Sequence, residues 1–140
     1  MAERVVLDAS VGIRIVVQEE PGHEEATRCY DHAARRGWDV VTTDLFLYEV
    51  GNVLARGRAQ AGRAPRLLDA LQLAEVRRPS PNALARALGI AGEGKLSFYD
   101  AAYLALAEET DGLVWTEDRE LLKRFPGRTT DTRELERRLR

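Results

Sequence analysis

The chain has 140 residues, of which 44% are hydrophobic and 31% charged, with a formal net charge of −2; this composition excludes a disordered chain and fits a globular one. One domain over 1–140 is expected at this length, able to bury roughly 68–70% of its unfolded surface without staples. A lone cysteine, Cys29, excludes an intrachain disulfide and suits the cytoplasm, while the lack of a charged-then-apolar leader or of any apolar run near ~18 residues argues against a membrane role.

Short apolar runs alternate with longer helical patterns. Val5–Leu7 predicts a first strand, followed by helices over roughly 10–19 and 22–36 and a strand at Asp39–Val41. Thr43 is placed to cap a helix reaching about Arg58, with another at roughly 64–74 and a weak strand at Glu75–Arg77. Ser80-Pro81 opens a further helix, since proline suits the first helical turn, and the glycines of Gly89–Gly94 suggest a loop. Ser97 opens a helix to Thr110, Leu113–Trp115 is a strand, and Glu117–Arg124 a short helix. Arg128–Thr130 is an edge strand and 131–139 a terminal helix of mixed charge, read as solvated. Strands separated by such helices predict a parallel sheet of about five strands in a three-layer α/β/α sandwich. Ligands bind such sheets beyond the carboxyl ends of the strands, where strand order reverses.

Charge is distributed unevenly. Residues 51–90 carry seven arginines against Asp69 and Glu75, a local charge of +5 that leaves −7 for the remainder. A basic segment beside an acidic site suits an enzyme acting on a polyanion; solvated helices are the alternative. Arg56, Arg58 and Arg63 are the candidate phosphate contacts.

Four acids carry the chemical signal. Asp8 follows Val5-Val6-Leu7, and Asp118 follows Leu113-Val114-Trp115-Thr116-Glu117, each at the end of a strand. Glu49 lies in Leu47-Tyr48-Glu49-Val50-Gly51-Asn52, about 40° from Val53 on a wheel whose buried face is Phe46, Val50, Val53 and Leu54. Asp100 follows Ser97 in a capping-box spacing. Each has an ordinary explanation: Asp8 as an N-cap, Glu49 paired with Arg56, Asp100 in a capping box, Asp118 in a first turn capped by Thr116. Gathered together they repel one another unless a cation or shared protons intervene, which points to a divalent metal. His23 and His32 lack the spacing and company of a zinc site, Trp38 and Trp115 read as core, and Cys29 as a small apolar residue.

These strings resemble a PIN domain, specifically a VapC-type toxin ribonuclease: Val5-Val6-Leu7-Asp8-Ala9-Ser10, Leu47-Tyr48-Glu49-Val50-Gly51-Asn52, Ser97-Phe98-Tyr99-Asp100-Ala101 and Trp115-Thr116-Glu117-Asp118, in this order over the whole chain. The resemblance implies a five-stranded parallel sheet between helices, Mg²⁺ or Mn²⁺, and endonucleolytic cleavage of RNA. It implies that Asp8, Glu49, Asp100 and Asp118 form the acidic site, with Ser10, Asn52 and Thr116 as polar supports. It further implies a homodimer and a VapB-type antitoxin that blocks the acidic groove; Leu67, Leu68, Leu71 and Leu73 are candidates for either interface or for internal packing. Asp8, Asp100 and Asp118 are the expected metal ligands, with Glu49 holding a water. Three other readings stay open: a PIN domain of RNA processing, a non-catalytic RNA- or protein-binding scaffold, and an aspartyl-phosphate phosphotransfer domain. The last lacks the second acid two residues after Asp8, where Ser10 stands.

Overall fold

The structure is a computed structural model that describes residues 3–57 and 62–140. Five strands form one parallel sheet: β1 (Arg4–Leu7), β2 (Asp39–Thr42), β3 (Glu75–Val76), β4 (Leu113–Trp115) and β5 (Thr129–Thr130). Their order is β3-β2-β1-β4-β5, with Val6 beside Val41 on one side and beside Val114 on the other. The chain therefore builds outward from β1 in one direction, returns, and builds outward in the other. The switch point lies between β1 and β4, and Asp8 and Asp118 both stand beyond it.

Eight helices accompany the sheet among the described residues: α1 (Ala9–Val16), α2 (His23–Arg35), α3 (Leu45–Arg56), α4 (Arg63–Leu71), α5 (Pro81–Gly94), α6 (Phe98–Glu109), α7 (Arg119–Arg124) and α8 (Thr132–Leu139). α1 packs against α2, α3 and α4, α2 packs against α8, and α5 packs on α6, which lies over β1 and β4. The result is the expected α/β/α sandwich. β1 and β4 are buried on both faces, which is why they read as unbroken Val/Leu/Trp runs. No helix among the described residues is long and apolar enough to cross a membrane.

The structure corrects several boundaries. α1 stops at Val16 rather than 19, because Gln18, Glu19 and Glu20 are exposed and Pro21 disfavours helix in the residue before it. Asp44, not Thr43, occupies the N-cap position of α3, and Thr43 contributes its carbonyl to the Phe46 amide. The three glycines of Gly89–Gly94 lie inside α5, not in a loop. Ser80 caps that helix by accepting the Ala83 amide at 3.1 Å, and Ala83 and Ala87 pack on Ala101 and Ala105 of α6. That close alanine-on-alanine contact offsets the roughly 1 kcal/mol that each interior glycine costs. Within α3, Phe46, Val50 and Leu54 are buried as expected, but Val53 is 48% exposed.

Candidate active site

Asp8 is the centre of the site. Its amide donates to the Trp115 carbonyl at 3.1 Å, extending the β1–β4 ladder, and its own carbonyl accepts the first amides of α1. It thus stands at an N-cap position, yet its carboxylate makes no capping bond. Instead Oδ2 accepts the Ser10 hydroxyl and the Thr116 hydroxyl, both at 2.7 Å. Each hydroxyl is in turn an acceptor: Ser10 Oγ from the Glu117 amide at 3.2 Å, and Thr116 Oγ1 from the Asp118 amide at 3.0 Å. Backbone donors occupying those oxygens direct both hydroxyl protons toward Asp8. Burial pushes the Asp8 pKa above the usual carboxylate range, against the pull of Thr116 and Ser10, and Asp118 adds to the rise.

The other three acids surround this carboxylate. Glu49, half-buried on α3, accepts the Tyr103 hydroxyl at Oε1 at 2.6 Å, not Arg56. Burial raises its pKa first, the Tyr103 bond opposes the rise, and Asp8 and Asp100 add to it. Asp100 lies in the first turn of α6, where its amide donates to the Ser97 hydroxyl at 3.1 Å. Burial, then Asp8, then Asp118 raise its pKa. Asp118 is itself the N-cap of α7, its Oδ1 accepting the Glu120 and Leu121 amides at 3.0 and 3.3 Å. This corrects the reading of Thr116 as that cap, since Thr116 supports Asp8 from the residue after β4.

A close contact sets the distance between α1 and α3. A Cβ built on Gly12 would stand 2.4 Å from the Phe46 ring, and Phe46 is fully buried. Only glycine lets α3 approach α1 this nearly and bring Glu49 toward Asp8. An open cleft of about 570 Å³ results, lined by Ser10, Glu49, Asn52 and Asp118 together with Arg14 and Glu117. Glu49 and Asp118 line this cleft with Ser10 and Asn52, the last exposed at the rim; Asp8, bonded to Thr116, and Asp100 do not line it but lie within electrostatic reach of these acids.

The donor set is oxygen alone, the chemistry of a hard cation. No three Asp, Glu, His or Cys side chains among the described residues close into a ready-made cage. Mg²⁺ suits such an open arrangement, because it keeps several waters and is commonly held by one or two carboxylates together with substrate phosphates. Burial is the larger cause of the raised Asp8, Glu49 and Asp100 values and mutual repulsion the smaller; a cation would relieve the repulsive part, and an all-oxygen set fits such an ion.

Arginines of the basic segment are largely engaged within the protein. Arg63 donates to the Gly57 carbonyl, Arg66 pairs with Glu19 at 3.0 Å, Arg77 with Glu75 at 3.0 Å and Arg86 with Glu108 at 2.6 Å. Arg56 is exposed at the end of α3, and Arg58 lies outside the described residues. His23 Nδ1 pairs with the Arg14 carbonyl at 2.7 Å and His32 with Glu136 at 3.0 Å, far from any metal role. Burial first, then Glu136 and Glu117, push the Cys29 thiol up to about 12, leaving it inert.

Tyr103 is the site residue that the sequence does not announce. It lies in Ala101–Ala107, a stretch buried on every side, where it reads as core. Its one signal is a polar hydroxyl in an otherwise apolar run, three residues after Asp100.

The PIN domain family model matches residues 5–127. The chain belongs to the PIN domain family. Among curated proteins, this PIN domain is 34% identical over 141 residues to Ribonuclease VapC3 of Pyrobaculum aerophilum, covering 91% of this chain and 98% of that protein. Among solved structures it is similar to PAE2754 from Pyrobaculum aerophilum, with a TM-score of 0.74 and 27% identity over 99% of this chain and 95% of the other. Mycobacterium tuberculosis VapC20, described as a Sarcin-Ricin loop cleaving toxin, shares the fold with a TM-score of 0.65 at 18% identity, covering 81% of this chain and 89% of its own.

Proposed function

We propose that this PIN domain is a divalent-metal-dependent endoribonuclease and the toxin of a VapBC-type toxin–antitoxin pair. The observation that carries the reading is the Asp8 carboxylate, held by two directed hydroxyls at the sheet's switch point with three further acids around it. Its likeness to Ribonuclease VapC3 supports RNA as the substrate.

In this reading Asp8, Asp100 and Asp118 hold Mg²⁺ or Mn²⁺, directly or through water. An ion held by these residues would supply positive charge at the scissile phosphate and a lower pKa for the attacking water. The residues do the rest. Ser10 and Thr116 fix the Asp8 rotamer. Asp118 keeps Oδ1 on the α7 amides, leaving Oδ2 for the cleft. Glu49, oriented by Tyr103, positions the attacking water and receives its proton as the new P–O bond forms and the bond to the leaving oxygen breaks. Asn52 stands at the rim to orient Glu49 or the water, and Arg56, Arg58 and Arg63 are proposed as phosphate contacts. Two partners complete the proposal: a VapB-type antitoxin and a second copy of the chain. Leu67 and Leu73 pack on the core, whereas Leu68 and Leu71 are exposed and offer α4 as apolar surface for either. The cytoplasm, where RNA and reduced Cys29 are both at home, is the proposed compartment.

Incubation with a mixed single-stranded RNA pool tests the reading. Cleavage is expected with Mg²⁺ or Mn²⁺, none with EDTA, and none from folded Asp8→Asn or Asp100→Asn. Undiminished cleavage by either folded variant would overturn the site.

A further inference from the structure

The cleft does not end at the four acids. Arg14 and Glu117, which form one of its walls, also form a wall of a second groove of about 530 Å³ between α2 and α8. Arg14, Arg28, Arg133, Arg137 and Arg140 line that groove. Three come from one helical stripe, since residues 133, 137 and 140 are spaced i, i+4 and i+7, while Thr132, Leu135 and Leu139 form the buried face of α8. The fold thus turns these three arginines to one groove, with Glu136 among them, and the apolar residues to the core.

Three acids also line the groove, Glu25, Glu117 and Glu136; Glu25 is exposed, and the other two are occupied. Glu117 accepts the Thr132 amide and hydroxyl at 2.9 and 2.8 Å, and Glu136 is paired with His32 at 3.0 Å. Arg14 stands 3.6 Å from Glu117, and Arg137 2.8 Å from Glu134. Arg28, Arg133 and Arg140 have no ion pair among the described residues and are exposed. Three guanidiniums without ion pairs, on a groove that shares Arg14 and Glu117 with the acidic cleft, offer bidentate donors for phosphate.

We propose that the α2–α8 groove binds the backbone phosphates of the single-stranded RNA that extends from the acidic cleft, with Arg28, Arg133 and Arg140 as the contacts and Arg14 at the junction. The proposal rests on RNA as the substrate of the acidic cleft. It gives the strand a track beyond the cleft, and it assigns a role to the terminal helix that charge counting does not.

Fluorescence anisotropy with a labelled 12-nucleotide single-stranded RNA tests it, in EDTA so that neither metal nor cleavage contributes. Arg28→Gln, Arg133→Gln and Arg140→Gln are each expected to lower the slope of log K against log salt by about 0.7. Arg78→Gln and Arg86→Gln, away from the groove, are expected to leave it unchanged. Melting temperatures equal to the parent's establish that the variants fold, as exposed positions should. An unchanged slope in the folded triple variant would overturn the groove even if the parent cleaves RNA. Loss of slope in a protein that cleaves nothing would uphold the groove and sink the nuclease reading instead. Polyglutamate of equal charge binding as tightly as the RNA would mark an acidic-protein site and overturn the proposal.

Discussion

The Tyr103 hydroxyl donates to Glu49 Oε1 at 2.6 Å, joining a fully buried side chain of α6 to a half-buried acid of α3 across the mouth of the sheet. Burial, then Asp8 and Glu49, drive the Tyr103 pKa well above the usual tyrosine range, so the phenol stays protonated and remains a donor at any working pH. It is the one group that draws the Glu49 pKa down while burial, Asp8 and Asp100 push it up. Tyr103→Phe keeps the ring and removes the donor. A hydrogen bond to a charged group contributes about 1.5–3 kcal/mol, and half-exposed Glu49 belongs at the lower end. The acid limb of the pH–rate profile is expected to move upward by about one pH unit. A change in rate with an unmoved profile would assign Tyr103 to packing alone.

Ser10 and Thr116 meet on the same oxygen of Asp8, so their effects should not add. Thr116 is fully buried, and Thr116→Val removes both the donor to Asp8 and the acceptor of the Asp118 amide. Leaving such groups unsatisfied costs about 1–3 kcal/mol. Ser10→Ala, at a half-buried position, is expected to cost less. Urea unfolding of the two single variants and the double should give a coupling energy of about 0.5 kcal/mol or more. Strict additivity would show that the two hydroxyls act separately.

The sheet and the four acids were legible in the sequence because each rests on a local signal. β4 is an apolar run with sharp ends; Asp8 and Asp118 follow strands, Asp100 opens a helix, and Glu49 stands beside the apolar face of the α3 wheel. The misreadings arose where tertiary packing decides. Gly89, Gly92 and Gly94 weaken a helix locally, yet α5 is held by Ala83 and Ala87 against α6. Val53 lies on the apolar side of a wheel, but the fold leaves it exposed. Thr116 and Asp118 are two residues apart and either can cap; only the β4–β1 register turns Thr116 toward Asp8. Tyr103 could not be told from core, because periodicity shows which face is buried and not what it meets there. Charge counting located the arginines of 51–90 but not the carboxylates and carbonyls they already hold.

Gly12→Ala separates helix propensity from packing. Alanine is intrinsically better in a helix by about 1 kcal/mol, so a solvent-facing glycine would gain. Here the added Cβ would lie 2.4 and 2.5 Å from two atoms of the Phe46 ring, a fully buried side chain. Overpacking of this kind costs about 1–3 kcal/mol. A net loss of stability is expected, with a larger loss of activity because α1 and α3 carry Asp8 and Glu49. A stabilised, fully active variant would show that this contact does not set the site.

The burial of the acids, and after it their mutual repulsion, should be visible in stability without any assay of cleavage. In the metal-free protein Asp8, Glu49 and Asp100 all have pKa values raised above their ordinary 3.8, 4.5 and 3.8. Between the ordinary and the raised values the folded state binds more protons than the unfolded state, so stability falls as pH rises through that window. Below it the three acids are protonated in both states and cost nothing. Above it the full penalty persists. The melting temperature of the metal-free protein is therefore expected to rise as pH is lowered from neutral through that window, opposite to a protein held by paired carboxylates. Asp100→Asn removes one charge from the cluster and should flatten the trend while raising stability at pH 7. Mn²⁺ should do the same to the parent and much less to Asp100→Asn, since a cation relieves the same repulsion and gains stability by binding only the folded state. Calorimetric melts from neutral pH down through that window, with Mn²⁺ or EDTA, measure all of this. A melting temperature that falls on acidification and ignores Mn²⁺ would mean that the four acids do not share one field, and would remove the physical basis for a metal among them.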